Sequence, residues 1–417
     1  MSDTAPAGPL AGVRVLDLSR VLAGPWTTQL LGDLGATVFK VERPGRGDDT
    51  REWGPPWLPG GDPAARDGLR DGAYFACANR NKRALAIDFG EADGAALLRD
   101  LAATCDIVVE NFRTGTLAKY GLDHASLAAE NPALVYCSIT GFGQTGPYAE
   151  RGGYDFLIQG MAGLMSLTGL PDGEDGAGPI KAGIPAADLF TGMYAATSIL
   201  AALNHVRATG EGQHIDAALM QTQIAVLGNH WSNYLNAGVV GGRMGNTHAT
   251  VVPYRDFQAA DGRIIVACGN DGQFAKFCAL LGHAEWAEDD RFRTNGARSE
   301  NRPVLEALLG GEIARHGAAA LISDMRAAGV PGGPINDLEA VFADPHVRAS
   351  GIVASAPRAN GTEVKVVGYP HRLSATPASV RTAPPLLGQD TRDVLMDELS
   401  LSDERLEDLR KRNVIAF

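Results

Sequence analysis

A chain of 417 residues, 45% hydrophobic, with 51 glycines and 23 prolines, has room for two or three domains of about 100–200 residues and is too apolar for a disordered or fibrous polymer. Its 49 acidic against 37 basic side chains give a formal charge of −12. With no basic segment to meet a phosphate backbone, no nucleic-acid partner is expected. The five cysteines, Cys77, Cys105, Cys137, Cys268 and Cys278, are odd in number and never spaced as CxxC. They read as free core thiols in a reducing compartment. The first twelve residues, MSDTAPAGPLAG, lack the basic start and apolar run of a signal peptide. Polar residues and glycines break the uncharged stretches Leu189 to Asn204 and Ala217 to Gly242. Neither stretch reads as a membrane span, so the expectation is a cytoplasmic protein with no membrane partner.

Strands and helices alternate through the first half. Val13–Leu18 reads as a buried strand, Trp26–Leu34 as a helix stopped by Gly35, and Thr37–Glu42 as the next strand. A helix over Glu91–Thr104, a strand over Asp106–Glu110, a short helix over His124–Glu130 and a strand over Leu134–Ile139 continue the series. That order predicts a doubly wound α/β domain around a mainly parallel sheet. From Asp188 to His205 the residues are apolar almost all round, as in a helix buried on every side, and Met220–Asn236 reads as another helix. Tyr254–Ala267 reads as a hairpin turning at Ala260-Asp261-Gly262, followed by helices over Gly272–Leu281 and Arg302–Ala328. This looks like a smaller α+β domain. The breaker cluster Gly329–Pro334 reads as the return to the first domain, and Arg392–Arg412 as a solvated amphipathic tail. The expected division is 1–215, the first part of a large Rossmann-like domain; 216–329, a linker helix and the small domain; and 330–417, the return with a C-terminal helix.

Gly141-Phe142-Gly143-Gln144-Thr145-Gly146 matches the dinucleotide pattern GxGxxG, but Pro147 and Arg151-Gly152-Gly153 follow it. The fingerprint needs a helix there, so a glycine loop shaping another pocket is the better reading. No GxSxG, HExxH or Walker A string occurs, and the nine histidines show no ligand spacing. No metal site is expected. Asp188, ahead of a long apolar helix, reads most simply as an N-cap. From the residues alone the chain is an acidic α/β enzyme of open chemistry.

Longer strings carry more. Leu10–Pro25 (LAGVRVLDLSRVLAGP), Gly32–Glu42 (GDLGATVFKVE), Pro44–Asp48, Asn79–Arg83, Val109–Phe112, Gly141–Pro147, Ala187–Gly192 (ADLFTG) and Leu386–Gln389 occur in that order. Together they resemble the class III (CaiB/BaiF, formyl-CoA transferase-like) coenzyme A transferases over nearly the whole chain. The resemblance implies a Rossmann-like large domain built from both chain ends, a smaller domain, and an interlocked-ring homodimer. It implies an enzyme with no permanently bound cofactor, whose substrates are acyl-CoA and small carboxylic acids.

The resemblance also assigns residues. Asp188 matches the nucleophile, ionised by the helix dipole, with Gly192 leaving room for a ligand. It implies an aspartyl anhydride followed by an aspartyl-CoA thioester. Val21, Arg43, Asn111, Phe112, Lys119 and Tyr120 match coenzyme A contacts. Leu22, Tyr154, Asp155, Gly245 and His248 match the substrate pocket, with the loop at Gly245-Asn246 a source of oxyanion amides. Leu22 stands where formyl-CoA transferases have glutamine, which argues against oxalate and formate. Related α-methylacyl-CoA racemases carry Gly-His-Asp where this chain has Gly153-Tyr154-Asp155. Tyrosine, with an ordinary pKa of about 10, is a poor proton-transfer base, so transferase is preferred to racemase, and both to a non-catalytic CoA- or NAD-binding protein. Within the family the resemblance is to transferases of short dicarboxylic acids, carried by Arg46–Arg51, Trp53–Pro56, Tyr136–Pro147 and Val251–Tyr254. A distal carboxylate needs a cation, for which Arg51, Arg255 and His248 are the candidates.

Overall fold

The structure, a computed structural model, describes residues 8–60 and 71–417. Six parallel strands form the main sheet: β1 (Arg14–Asp17), β2 (Thr37–Glu42), β3 (Lys82–Ile87), β4 (Ile107–Glu110), β5 (Val135–Thr140) and β6 (Gln213–Ala218). Successive residues of these strands feed opposite faces, because side chains alternate along a strand. Val15, Val38, Val109 and Cys137 pack on one side with Leu31, Ala195, Ile199 and Leu203 of the helices Ala23–Asp33 and Ala186–Thr209. Leu16, Phe39, Val108 and Tyr136 pack on the other with Leu98 and Leu101 of the helix Ala92–Ala103. Each fully buried Val, Leu, Ile or Phe among them contributes about 1.5–3 kcal/mol.

Two compact units divide the chain. The larger comprises residues up to Leu164, Lys181–Val240 and Ser350–Phe417; the smaller comprises Met165–Ile180 and Gly241–Ala349. In the smaller unit β7 (Tyr254–Ala259) and β8 (Gly262–Ala267) form the expected hairpin, and β9 (Gly332–Pro334) adds a third antiparallel strand. The breaker cluster does end a helix, at Gly329 with φ +71°, but the chain then stays in the smaller unit. Gly332 pairs with Val266, and a Cβ on it would lie 2.2 Å from Met325 Cε. The large unit resumes at Ser350 with a hairpin, β10 (Val353–Pro357) and β11 (Glu363–Val367), and closes with β12 (Ile415–Ala416), antiparallel to β3. The full sheet order is β12-β3-β2-β1-β4-β5-β6.

Several expectations need correction. Met220–Asn236 is two helices, Leu219–Ala225 and Asn229–Ala237, separated at Gly228 with φ +60°. Arg302–Ala328 is likewise broken, into Arg302–Ile313 and Ala318–Ala328. The amphipathic tail is two helices, Thr391–Leu399 and Asp403–Lys411, which bury Val394, Leu395, Leu406 and Leu409 in the core and leave charged faces in solvent, as expected. Four cysteines are buried but Cys77 is exposed. The helix Ala186–Thr209 is long and apolar enough to cross a membrane. Here one face lies against the sheet, while Met193, Tyr194 and Leu200 are exposed, so it is not buried on every side.

The end of β1, the middle of β2 and the start of β3 are tied by buried charge. Lys82 Nζ donates to Asp17 Oδ2 at 3.0 Å, and Lys40 Nζ donates to Asp48 Oδ2 and to Ser19 O, both at 3.0 Å. Asp17 also accepts from Ser19 and Thr28, which with the two ammonium groups hold its carboxyl below the usual range despite full burial. Removing one member of such a set costs far more than the set contributes net, because a partner is left charged and unpaired. Asp17→Asn is therefore expected to destabilise the protein by about 3–5 kcal/mol, read as a lower urea midpoint at unchanged slope. A loss under 1 kcal/mol would show that Lys82 and Lys40 find other partners.

Candidate active site

Ligands of doubly wound sheets bind beyond the carboxyl ends of the strands, where the strand order reverses. Here that point lies between β1 and β4, which are neighbours although β2 and β3 separate them in the chain. The loop after β1, Arg20 to Leu22, meets the loop after β4, Asn111 to Thr116, across a cavity of about 370 Å³. Gly141, Gly152, Gly153, Tyr154 and Asp188 complete its wall. The expected nucleophile therefore shares a cavity with Val21, Leu22, Asn111, Phe112 and Tyr154. Two further cavities adjoin. One of about 300 Å³, beyond β2 and β3, shares Phe112 with the first and is lined by Arg43, Arg46, Phe89 and Tyr120. A more open one of about 570 Å³ shares Tyr120 with the second and includes Lys119. A continuous surface thus runs from Asp188 past Phe112 and Tyr120 to Lys119, about the path a long, jointed ligand needs. Phe89 packs edge-on against both aromatic rings, with centroids 5.5 Å from Phe112 and 5.3 Å from Tyr120.

The loop after β1 is held under strain. Val21 has φ +69°, a conformation that costs a β-branched residue about 1–3 kcal/mol and persists only where its surroundings impose it. They do so from two sides. Asp48 accepts from the Val21 amide at 3.1 Å, and the Asn111 amide brackets Arg20, accepting from its N–H at 2.8 Å and donating to its carbonyl at 2.6 Å. Asn111 is thus a clamp across the switch point. Gly141 and Gly153 pass so close that a Cβ on Gly141 would lie 2.6 Å from Gly153 Cα. The glycine loop shapes the cavity wall, and no helix follows it.

Asp188 is the third residue of its helix. Pro185 is the cap residue, and no side chain at that position caps. The capping carboxylate comes from Asp155: its Oδ1 accepts from Ala187 N at 2.8 Å and Asp188 N at 3.3 Å, while its Oδ2 accepts from Gln159 Nε2 at 2.6 Å. Two expectations change. Asp188 is not the N-cap, and it is not held ionised by free amides. Burial, and then the neighbouring Asp155, push its carboxyl up to about 7. Gly192 also has another reason: a Cβ there would lie 2.9 Å from Ala23 O and 3.0 Å from Trp26. It admits the neighbouring helix, not a ligand.

The remaining predicted residues are committed elsewhere. Arg51 is buried among carboxylates, with Nε 2.7 Å from Glu42 and Nη1 3.0 Å from Asp71, and its guanidinium carbon lies 3.7 Å above the Phe75 ring. Arg255 pairs with Glu306 at 2.6 Å. Gly245 and His248 belong to the smaller unit. The Gly245 amide is used by Gly169 O at 2.9 Å, and His248 Nδ1 accepts from Thr250 and Val251 amides, each at 3.1 Å. Arg20, Phe89 and Arg113 were missed; the rule that loops after parallel strands line the cleft points to all three. Among the described residues, no three His, Cys, Asp or Glu side chains are grouped to hold a metal ion.

A carboxyl whose pKa rises from 3.8 unfolded to about 7 folded weakens the fold where it must ionise. That penalty is absent below pH 4, grows through the interval, and is complete above about 7. Asp188→Asn is expected to raise stability at pH 8 by on the order of 1–2 kcal/mol, discounted for partial exposure. The gain should vanish near pH 4. Calorimetry at both pH values checks it; equal stability at pH 8 would show an unstrained carboxylate.

The chain as a whole is similar to known proteins. The family model described as CoA-transferase family III matches residues 10–391. A succinate–glutarate CoA-transferase of Agrobacterium fabrum is 46% identical over 390 residues, covering 93% of this chain and 95% of that protein. The human succinyl-CoA:glutarate CoA-transferase is 38% identical over 414 residues, covering 99% and 91%. Among solved structures, a CaiB/BaiF family protein from Brucella suis superposes with a TM-score of 0.82 at 46% identity, covering 94% of this chain and all of that one. Sequence and fold agree from end to end, and the chain belongs to CoA-transferase family III.

Proposed function

We propose that this enzyme moves coenzyme A from succinyl-CoA to a short dicarboxylic acid, of about four to six carbons, with Asp188 as the covalent carrier. One observation supports it most: Asp188 lines a cavity that continues past Phe112 and Tyr120 to Lys119. The acid class follows the relatives, named for succinate or succinyl-CoA and glutarate. In this reading a carboxylate oxygen of Asp188 attacks the thioester carbon of succinyl-CoA. The C–S bond breaks, giving a mixed anhydride and CoA thiolate. The thiolate attacks the Asp188 carbonyl of the anhydride, releasing succinate and leaving an aspartyl-CoA thioester. The incoming carboxylate repeats both steps in reverse and leaves as its CoA ester, returning Asp188 to the carboxylate form. Asp155 positions the helix and restrains ionisation of Asp188, so a carboxylate formed there is poorly solvated and more reactive.

Coenzyme A runs along the three adjoining cavities, with pantetheine beside Val21, Asn111 and Phe112 and the nucleotide end among Arg43, Phe89, Tyr120 and Lys119. Arg43 is exposed and only 3.9 Å from Asp88, a loose pair that a phosphate can replace. An interlocked homodimer fits the apolar surface of the large unit: Phe156, Met193 and Tyr194 are exposed on adjacent helices, Tyr154 is exposed just before the first, and Leu235 (71%) and Val240 (78%) are exposed too. Such a patch on one protomer marks an association surface.

A second reading has an observation of its own. A carboxyl near 7 is also what a proton-transfer base needs, which keeps a CoA-ester racemase in view. Its partner base is absent, because Tyr154 lines the cavity at that position. Incubation in deuterated water separates the two: the 2-methylacyl-CoA α-carbon should stay protonated, and rapid exchange there would put the racemase first. In the transfer assay, succinyl-CoA with glutarate should give glutaryl-CoA and succinate. Asp188→Ala should lower that rate by at least about 10⁴-fold, and wild type given succinyl-CoA alone should carry a hydroxylamine-sensitive adduct on Asp188. An alanine variant that still transfers defeats the mechanism.

A further inference from the structure

The three cations predicted to read a distal carboxylate are engaged elsewhere, yet the cavity at Asp188 is lined by three other arginines, Arg20, Arg113 and Arg151. Arg20 is paired, its Nη1 2.5 Å from Asp49. Arg151 lies over two rings, 4.4 Å from the Tyr148 centroid and 5.4 Å from that of Phe142. Among the described residues, the guanidinium of Arg113, like that of Arg151, makes no ion pair and no hydrogen bond, and Arg113 also lies over no ring. It runs beside Gly152, where a Cβ would sit 3.7 Å from Nη2.

The next residue supplies an independent sign. Thr114 Oγ1 is buried with no hydrogen-bond partner, a state that is costly unless a ligand completes it. Arg113 and Thr114 both line the Asp188 cavity and also a neighbouring one of about 300 Å³ toward Glu110, Ser138 and His214. They form the partition between the two. Into that second cavity Gln144 brings another buried amide nitrogen without an acceptor. A guanidinium, a hydroxyl and a carboxamide N–H, all unmatched and set around one partition, are donors in search of an acceptor. A carboxylate, which accepts at both oxygens and pairs with arginine in a fork, is the group they fit.

We propose that Arg113 and Thr114 seat the distal carboxylate of the acceptor acid, and so set the preference for dicarboxylic over monocarboxylic acids. The inference rests on the dicarboxylate reading above. It places the reacting carboxylate at Asp188 and the other at the partition, with the methylene chain between them along the Gly152-Gly153 wall.

The test is the ratio of kcat/KM for glutarate to that for butyrate, with succinyl-CoA held fixed so that the donor's share cancels. Arg113→Gln should lower this ratio about 10- to 100-fold, as loss of a charge-assisted hydrogen-bond pair does, with butyrate turnover within about threefold of wild type. Thr114→Val should lower it in the same direction by a smaller factor, and Arg113→Lys should keep part of it. If Arg113→Gln lowers both acids equally, or leaves the ratio unchanged, the partition does not read the distal group and the inference falls. Should wild type itself use butyrate as well as glutarate, the dicarboxylate reading fails first, whatever the variants do.

Discussion

The buried charges under the cleft carry most of what is unusual in this fold. Asp17, Lys40 and Lys82, on three neighbouring strands, and Asp48, in the turn after the second, have side chains fully out of water, where an isolated charge is very unfavourable. Their pairing forces the chain into one arrangement. Asp48 is reached by Lys40 from β2, by the Val21 amide from the β1 loop, and by Thr50 from its own turn. Glu42 at the end of β2 accepts from the Asp48 amide and from Arg51, Arg51 reaches Asp71, and Asp71 also pairs with Arg358 in the returning chain end. Loops from both ends of the sequence are therefore set by one electrostatic network, and a hydrophobic core alone has no comparable directionality. The strained φ of Val21 follows: the network imposes the conformation that turns the β1 loop into a cavity wall.

Asp188 stands at the opposite wall with inverse electrostatics. Its nearest charged neighbour is another carboxylate, and Asp155 already occupies the helix amides that might otherwise stabilise it. A carboxylate so placed gains more by becoming an acyl derivative than an exposed one does, because acylation removes a charge the site solvates poorly. Two carboxyl groups thus divide the labour of one helix end. Asp155 holds the backbone; Asp188, on the cavity wall, is the one proposed to react.

The sequence made the parallel sheet legible because β1, β2, β4 and β5 are short runs rich in β-branched and other apolar residues, bounded by turns. β3 was harder. Its start, Lys82-Arg83, looks like a solvated loop, and only the buried pairing of Lys82 with Asp17 makes strand residues of it. β6 reads as polar because it sits at the open edge of the sheet, with Gln213 and His214 exposed. Asp188, Leu22 and Phe112 lie in strings that local resemblance reaches. The error over Arg51 was of another kind. A sequence shows an arginine near a cleft but not whether its charge is already spent, and the carboxylates that claim it lie 9 residues before it and 20 after. Charge count finds cations; only geometry finds free ones.

That distinction separates the rigid wall at Asp188 from the partition proposed to read the acid. Val21, Asn111 and Asp188 are bound into the network, the clamp and the capped helix, so replacing any of them disturbs backbone as well as chemistry. The partition is different. Arg113 is exposed, and Thr114 donates to nothing in the protein. Neither supports the fold, so both can vary at little expense to stability. They follow Asn111 and Phe112 directly, and so are held at a fixed offset from the clamp at the switch point. A selectivity element placed there inherits the precision of the strand end while remaining free of the network that makes the strand end rigid.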